Sequence, residues 1–240
     1  MKVKLTIIQS KYYKVGDLYV VNGEPLGLVY EISDGGAHGK VVALKAHRDL
    51  NLLYRTGLPY DEIHPEDPNN VGVIARSETD GQENMKAYKQ IPDWKTHYPV
   101  AAYVSDLNDE NGNPGWYLPA IKEVQAMVGW IDGEVLSPDG EAGQEPSEAM
   151  KEKRKAINQL IVDNGGNEFY FYGYDVSFII DQTNAWEADY FNRIYTSTET
   201  DYQVHPMVFK FYLRNGWWET MHVYGDLAGS YGEVRPFLAF

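Results

Sequence analysis

Apolar positions change their spacing along this chain from strand-like to helical and back to strand-like. Leu18 to Val21, Leu26 to Ile32 and Val41 to Lys45 are runs of apolar, β-branched and aromatic residues. Asn22-Gly23 and Ser33-Asp34-Gly35-Gly36 separate them, and both read as turns because Asn, Asp and Gly reach positive φ at low cost. The opening, Met1 to Ile8, is basic then apolar; it is too short for the apolar stretch of a signal peptide and reads as a further strand. From about Ala46 to Ser77 no period holds, and His64 to Asn70 is read as loop.

Helical spacing takes over in the middle. Met85, Tyr88 and Ile91 form one stripe after a Thr79/Asp80 cap. Val100, Tyr103, Val104 and Leu107 follow at i, i+3, i+4 and i+7, with Pro99 in the first turn and Asp106 to Pro114 as the stop. A helix opening at Pro119 aligns Ile121, Val124 and Val128. Another, from about Ser147 to Asp163, turns Met150, Ile157, Leu160 and Ile161 inward, Lys151 to Lys155 outward, and ends at Gly165-Gly166. The acidic stretch between these two helices reads as a solvated insertion.

Alternation returns near the end. Met207, Phe209, Phe211 and Leu213 share one face of a strand, opposite Val208, Lys210, Tyr212 and Arg214. Asn215-Gly216 then predicts a two-residue hairpin turn pairing Arg214 with Trp217 and Tyr212 with Glu219. Strands, helices and strands again predict one α+β domain over residues 1–240, with insertions at about 46–77 and 132–146. The expected architecture is antiparallel sheets with two to four flanking helices.

Composition narrows the partners. Asp+Glu of 35 against Lys+Arg of 21 gives a formal charge of -14, a field that repels nucleic-acid phosphates and anionic lipid. No apolar run is long enough to span a bilayer, so membrane insertion is not expected. Cysteine is absent, which removes disulfides, thiolate metal sites and cysteine nucleophiles. No G-x-S-x-G elbow occurs, the six histidines lack metal-ligand spacing, and nothing singles out a carboxylate pair. Asp106, Asn108 and Glu110 are spaced like part of a calcium loop, but a helix-ending turn is the better account. The expectation is a non-catalytic protein without cofactor or metal.

Three segments carry a family resemblance: Gly115-Trp116-Tyr117-Leu118-Pro119, Tyr195-Thr196-Ser197-Thr198-Glu199, and Val234-Arg235-Pro236-Phe237-Leu238-Ala239-Phe240. In this order they resemble the bacterial Lcl C-terminal-type domains, similar to the Fibrobacter succinogenes major paralogous domains, over roughly Val15 to Phe240. The resemblance implies a C-type-lectin-like fold with its first and last strands close together. It implies scaffold roles for Gly115, Trp116, Leu118, Pro119, Ser197, Thr198, Val234, Arg235 and Pro236. The Glu-Pro-Asn, Gln-Pro-Asp and Trp-Asn-Asp tripeptides of calcium-dependent lectins are absent. Some relatives with this ending are diversified by retroelements ahead of the last strand, where this chain is rich in Tyr and Trp.

Rigid amphipathic rings give large contact area at low entropic cost. The expected ligand surface therefore comprises Tyr195, Asp201, Tyr202, Tyr212, Trp217, Trp218, Thr220, His222, Tyr224, Asp226 and Tyr231, facing a glycan or a protein surface. Such a protein would be extracellular, on a cell surface or on a virion. The competing reading is a structural subunit of a fimbria or a phage tail fibre, and the oligomeric state is open.

Overall fold

The β-rich opening folds as its turns predict. The computed structural model describes residues 12–49, 52, 75–111, 115–133, 147–170, 193–199, 206–212, 217–222 and 232–240. β1 (Leu18–Val21), β2 (Glu24–Ser33) and β3 (His38–Ala43) form an antiparallel meander. Asn22 and Gly23 take positive φ in the first turn, and a short 3-10 turn, Asp34–Gly36, makes the second. β7 (Phe237–Ala239) pairs with β3, giving the order β1-β2-β3-β7. The last strand thus closes on the third strand, while β1 holds the far edge.

Five α-helices are described, against the two to four expected: α1 (Gly81–Tyr88), α2 (Trp94–His97), α3 (Pro99–Asn111), α4 (Ile121–Asp132) and α5 (Glu148–Asp163). Asp80 caps α1 and Ser147 caps α5, each accepting from a backbone N–H three residues on. α3 runs past the expected stop at Asp106. Asn108 closes a reciprocal pair with the Trp116 backbone there, accepting from its N–H at 2.7 Å and donating to its carbonyl at 2.8 Å. α4 begins at Ile121, two residues after Pro119, because Ala120 is still extended. Helix α4 touches β2 of the first sheet and β4 and β5 of the second, so its apolar residues Ile121, Val124, Met127, Val128 and Ile131 are all buried. The Lys151 to Lys155 face is not wholly solvated: Arg154 is 1% exposed, since α5 turns that position toward the protein interior.

β4 (Arg193–Glu199), β5 (Pro206–Tyr212) and β6 (Trp217–His222) form the second sheet. The hairpin register differs from the expected one: Tyr212 pairs with Trp217 and Lys210 with Glu219. A two-residue slide keeps every position on its own face, because side chains alternate with period two. It places Tyr212 opposite Trp217, Phe211 opposite Trp218 and Lys210 opposite Glu219. The Met1 to Ile8 strand, the Asn215-Gly216 turn and most of both insertions lie outside the described residues.

Arg235 joins the end of β3 to the segment after α5. Its side chain is 0% exposed, and its guanidinium donates to the carbonyls of Ala43, Leu44, Asn167 and Glu168 and to the Glu233 carboxylate. The same carboxylate accepts from Arg48 at 3.0 Å, and the two guanidiniums lie over Phe169 and Tyr170. Replacing Arg235 by Met would take a donor from four buried carbonyls and leave Glu233 half-paired; Leu44 would keep the Asn167 N–H and Glu168 the Arg48 guanidinium. Urea denaturation of Arg235→Met should show a stability loss of about 3–5 kcal/mol; a loss near zero would mean that the junction is not needed for closure.

Candidate functional site

The three motifs converge in space. Tyr117 and Phe237 exchange both backbone hydrogen bonds, at 2.8 and 2.9 Å, so the first motif lies along the outer edge of the last strand. The Ser197 N–H donates to the Pro119 carbonyl at 2.7 Å, and the Tyr195 N–H donates to the Glu233 carbonyl at 3.1 Å. Gly115 takes φ 102, a value only glycine adopts readily, where the chain enters this knot. Trp116, Leu118, Pro119, Val234 and Pro236 are buried around it.

β4 explains why a strand of small polar residues is buried on both faces. Ala120 cannot cap α4, so Thr198 does so from another strand: its hydroxyl accepts from Ile121 N at 3.0 Å and donates to the Ser77 carbonyl at 2.9 Å. Ser197 accepts from Asn84 Nδ2 at 3.0 Å, and its carbonyl accepts from the Tyr88 hydroxyl at 2.6 Å. Each polar group replaces a water contact that burial removes. The Thr-Ser-Thr run is therefore a ladder for helix ends.

Glu123, missed by the sequence reading, is the second anchor. One carboxylate oxygen accepts from Gly81 N at 3.0 Å and Ala120 N at 2.9 Å, at the first turns of α1 and α4, where helix dipoles favour negative charge. The other accepts from the Tyr117 hydroxyl at 2.8 Å and meets Lys40 Nζ at 3.0 Å. A Cβ at Gly81 would stand 2.4 Å from the Leu118 carbonyl oxygen, so only glycine permits this approach. Without Ser or Thr at position 120, no capping box was visible; the available clue was an acidic residue in the first turn of a helix. Burial pushes the Tyr117 hydroxyl far above its ordinary range, and Glu123 adds to the shift by charge and hydrogen bond. Burial also raises Tyr195, to about 12, against the opposing effect of Arg193.

The expected ligand surface divides three ways. Tyr195 is a correction: at 2% exposure it belongs to the core, because β4 is covered on both sides. Tyr212, Trp217, Trp218, Thr220 and His222 stand on β5 and β6, with Trp218 opposite Phe211, Thr220 opposite Phe209 and His222 opposite Met207. Asp201, Tyr202, Tyr224, Asp226 and Tyr231 lie outside the described residues.

A recess of about 720 Å³ opens where the β1–β2 turn faces α3 and the end of α5. Leu26, Leu44, Tyr103, Leu107, Trp116 and Pro236 supply apolar wall, and Asn22, Glu24, Lys45 and Asn164 supply polar groups. Two scaffold motifs thus contribute to a cavity through Trp116 and Pro236. Among the described residues no cluster of His, Asp or Glu is arranged to hold a metal ion, and no helix is long and apolar enough to cross a membrane.

No protein-family model and no curated protein matches the chain. Its fold is similar to that of a fimbrial protein. The likeness is to the crystal structure of a fimbrial protein from Bacteroides ovatus, with a TM-score of 0.52 at 14% identity. It covers 95% of this chain and 49% of that one, so the chain spans about half the length of the fimbrial protein. At this identity the likeness concerns architecture, and it supports the α+β class.

Two outcomes are expected from the knot. Thr198→Val removes the borrowed cap and should cost about 1 kcal/mol in urea denaturation; an unchanged midpoint would deny Thr198 that role. The raised pKa values of Tyr117 and Tyr195 mean that their neutral forms contribute full stability below about pH 10, the unfolded value. That contribution is lost as pH rises toward the folded values. Tyrosinate absorbance should therefore show a class of rings ionising late, with stability declining only above about pH 10.

Proposed function

We propose that the chain is a structural, non-catalytic subunit of a fimbria-like assembly on a cell surface. The observation that carries this is the likeness to a fimbrial protein over 95% of the chain. The buried polar network supports it: Arg235, Glu123, Ser197 and Thr198 are engaged in holding segments together. The pairing of β3 with β7 and the convergence of the three motifs support the C-type-lectin-like frame of the Lcl-type domains as part of the same reading. The aromatic positions of the β5–β6 hairpin then serve as contact surface between subunits, in place of a site for a free ligand.

A formal charge of -14 on each subunit opposes self-association at low ionic strength. Light scattering and native mass measurements should therefore find oligomers that grow as salt is raised from about 10 mM toward physiological strength. Antibody labelling of intact cells should find the protein outside. A protein that stays monomeric at all salt concentrations and is confined to the cell interior would overturn the reading.

A further inference from the structure

We propose that the recess between the β1–β2 turn, α3 and the end of α5 binds a neutral saccharide. This goes beyond an assembly role and holds whether or not the chain builds a fimbria. The recess, at about 720 Å³, falls within the range of small-ligand sites and accommodates one or two sugar rings.

Its aromatic walls are set in place before any ligand arrives. The Tyr103 ring stacks on His47 at a centroid distance of 4.2 Å, and the Trp116 backbone is held on both its N–H and its carbonyl by Asn108. These side chains offer apolar surface to the C–H groups of a pyranose, with little ordering cost on binding.

The polar groups select the rest. Asn22 and Glu24 project from the β1–β2 turn, Lys45 follows β3, and Asn164 closes α5. One carboxylate, one ammonium and two amides offer both donors and acceptors, with no net formal charge in a chain of -14. Asn164 Nδ2 is committed to the Leu160 carbonyl at 2.8 Å, which orients its amide oxygen as an acceptor. The negative end of the α5 dipole also faces this rim. An anionic ligand meets an acidic protein and a helix C-terminus, and a wholly apolar ligand covers polar groups at the rim without offering them hydrogen bonds. A ring carrying several hydroxyls satisfies both demands.

The test is an array of neutral, sialylated and sulfated oligosaccharides, with short peptides alongside, probed with the full chain and followed by calorimetric titration of the bound sugars. Neutral saccharides should bind. Tyr103→Ala should weaken them about tenfold and Glu24→Gln severalfold, the latter with unchanged thermal midpoint, while Trp217→Ala in the hairpin leaves affinity unaltered. If Tyr103→Ala fails to fold, Glu24→Gln and Asn22→Ala on the exposed turn carry the comparison. The proposal is overturned if no neutral saccharide binds, if acidic glycans or peptides bind in their place, or if the recess variants bind like the parent.

Discussion

A guanidinium sealed from water must give its N–H groups to acceptors inside the protein, and Arg235 meets this demand by drawing distant parts of the chain to one point. Its acceptors come from the end of β3, from the segment after α5 and from Glu233 beside it. Burial lowers the Arg235 pKa from its ordinary value, and the Glu233 carboxylate opposes that effect. The energetic logic is one of constraint more than of strength. A buried ion pair gains little over an apolar substitute, but its geometry admits few alternatives. Around this point β7 aligns with β3, and the Tyr117–Phe237 pair then positions the entry to α4.

The parts of the fold legible in the sequence were those governed by local rules. Asp80 and Ser147 announced helix starts, and Met85, Tyr88, Val100 and Val104 lie buried as their spacing required. The described positions of the C-terminal hairpin share faces as expected, although the pairing is displaced by two positions, because alternation survives such a slide. Long-range chemistry was not legible. Glu123, Arg154 and Asn84 look like surface residues in sequence, and only the arrival of other elements makes them interior. Tyr195 departs in the opposite direction: counted among the aromatic rings of a contact surface, it lies on a strand buried from Ile194 to Glu199.

Polar motifs in this protein serve the frame, and the recess is a by-product of how they are set. The Asn108 clamp holds the Trp116 backbone against α3, and Trp116 is also part of the cavity wall. Pro236 stands beside Arg235, so the residue that closes the sheet and the residue that lines the recess are neighbours in the chain. Frame and cavity share their supports, and a change that loosens one is felt in the other.

β3 pairs with β7, and beside that pairing the His38 ring meets the Phe240 carbonyl across 202 positions of chain. Closure entropy grows only slowly with such a span, so the equilibrium cost is modest, but the kinetic consequence is larger. During refolding, the outer side of β3 stays an open template until distant residues arrive. In that interval it can recruit the wrong strand from a neighbouring molecule. Crowding of half-folded chains, more than weakness of the finished fold, is thus where this topology is vulnerable.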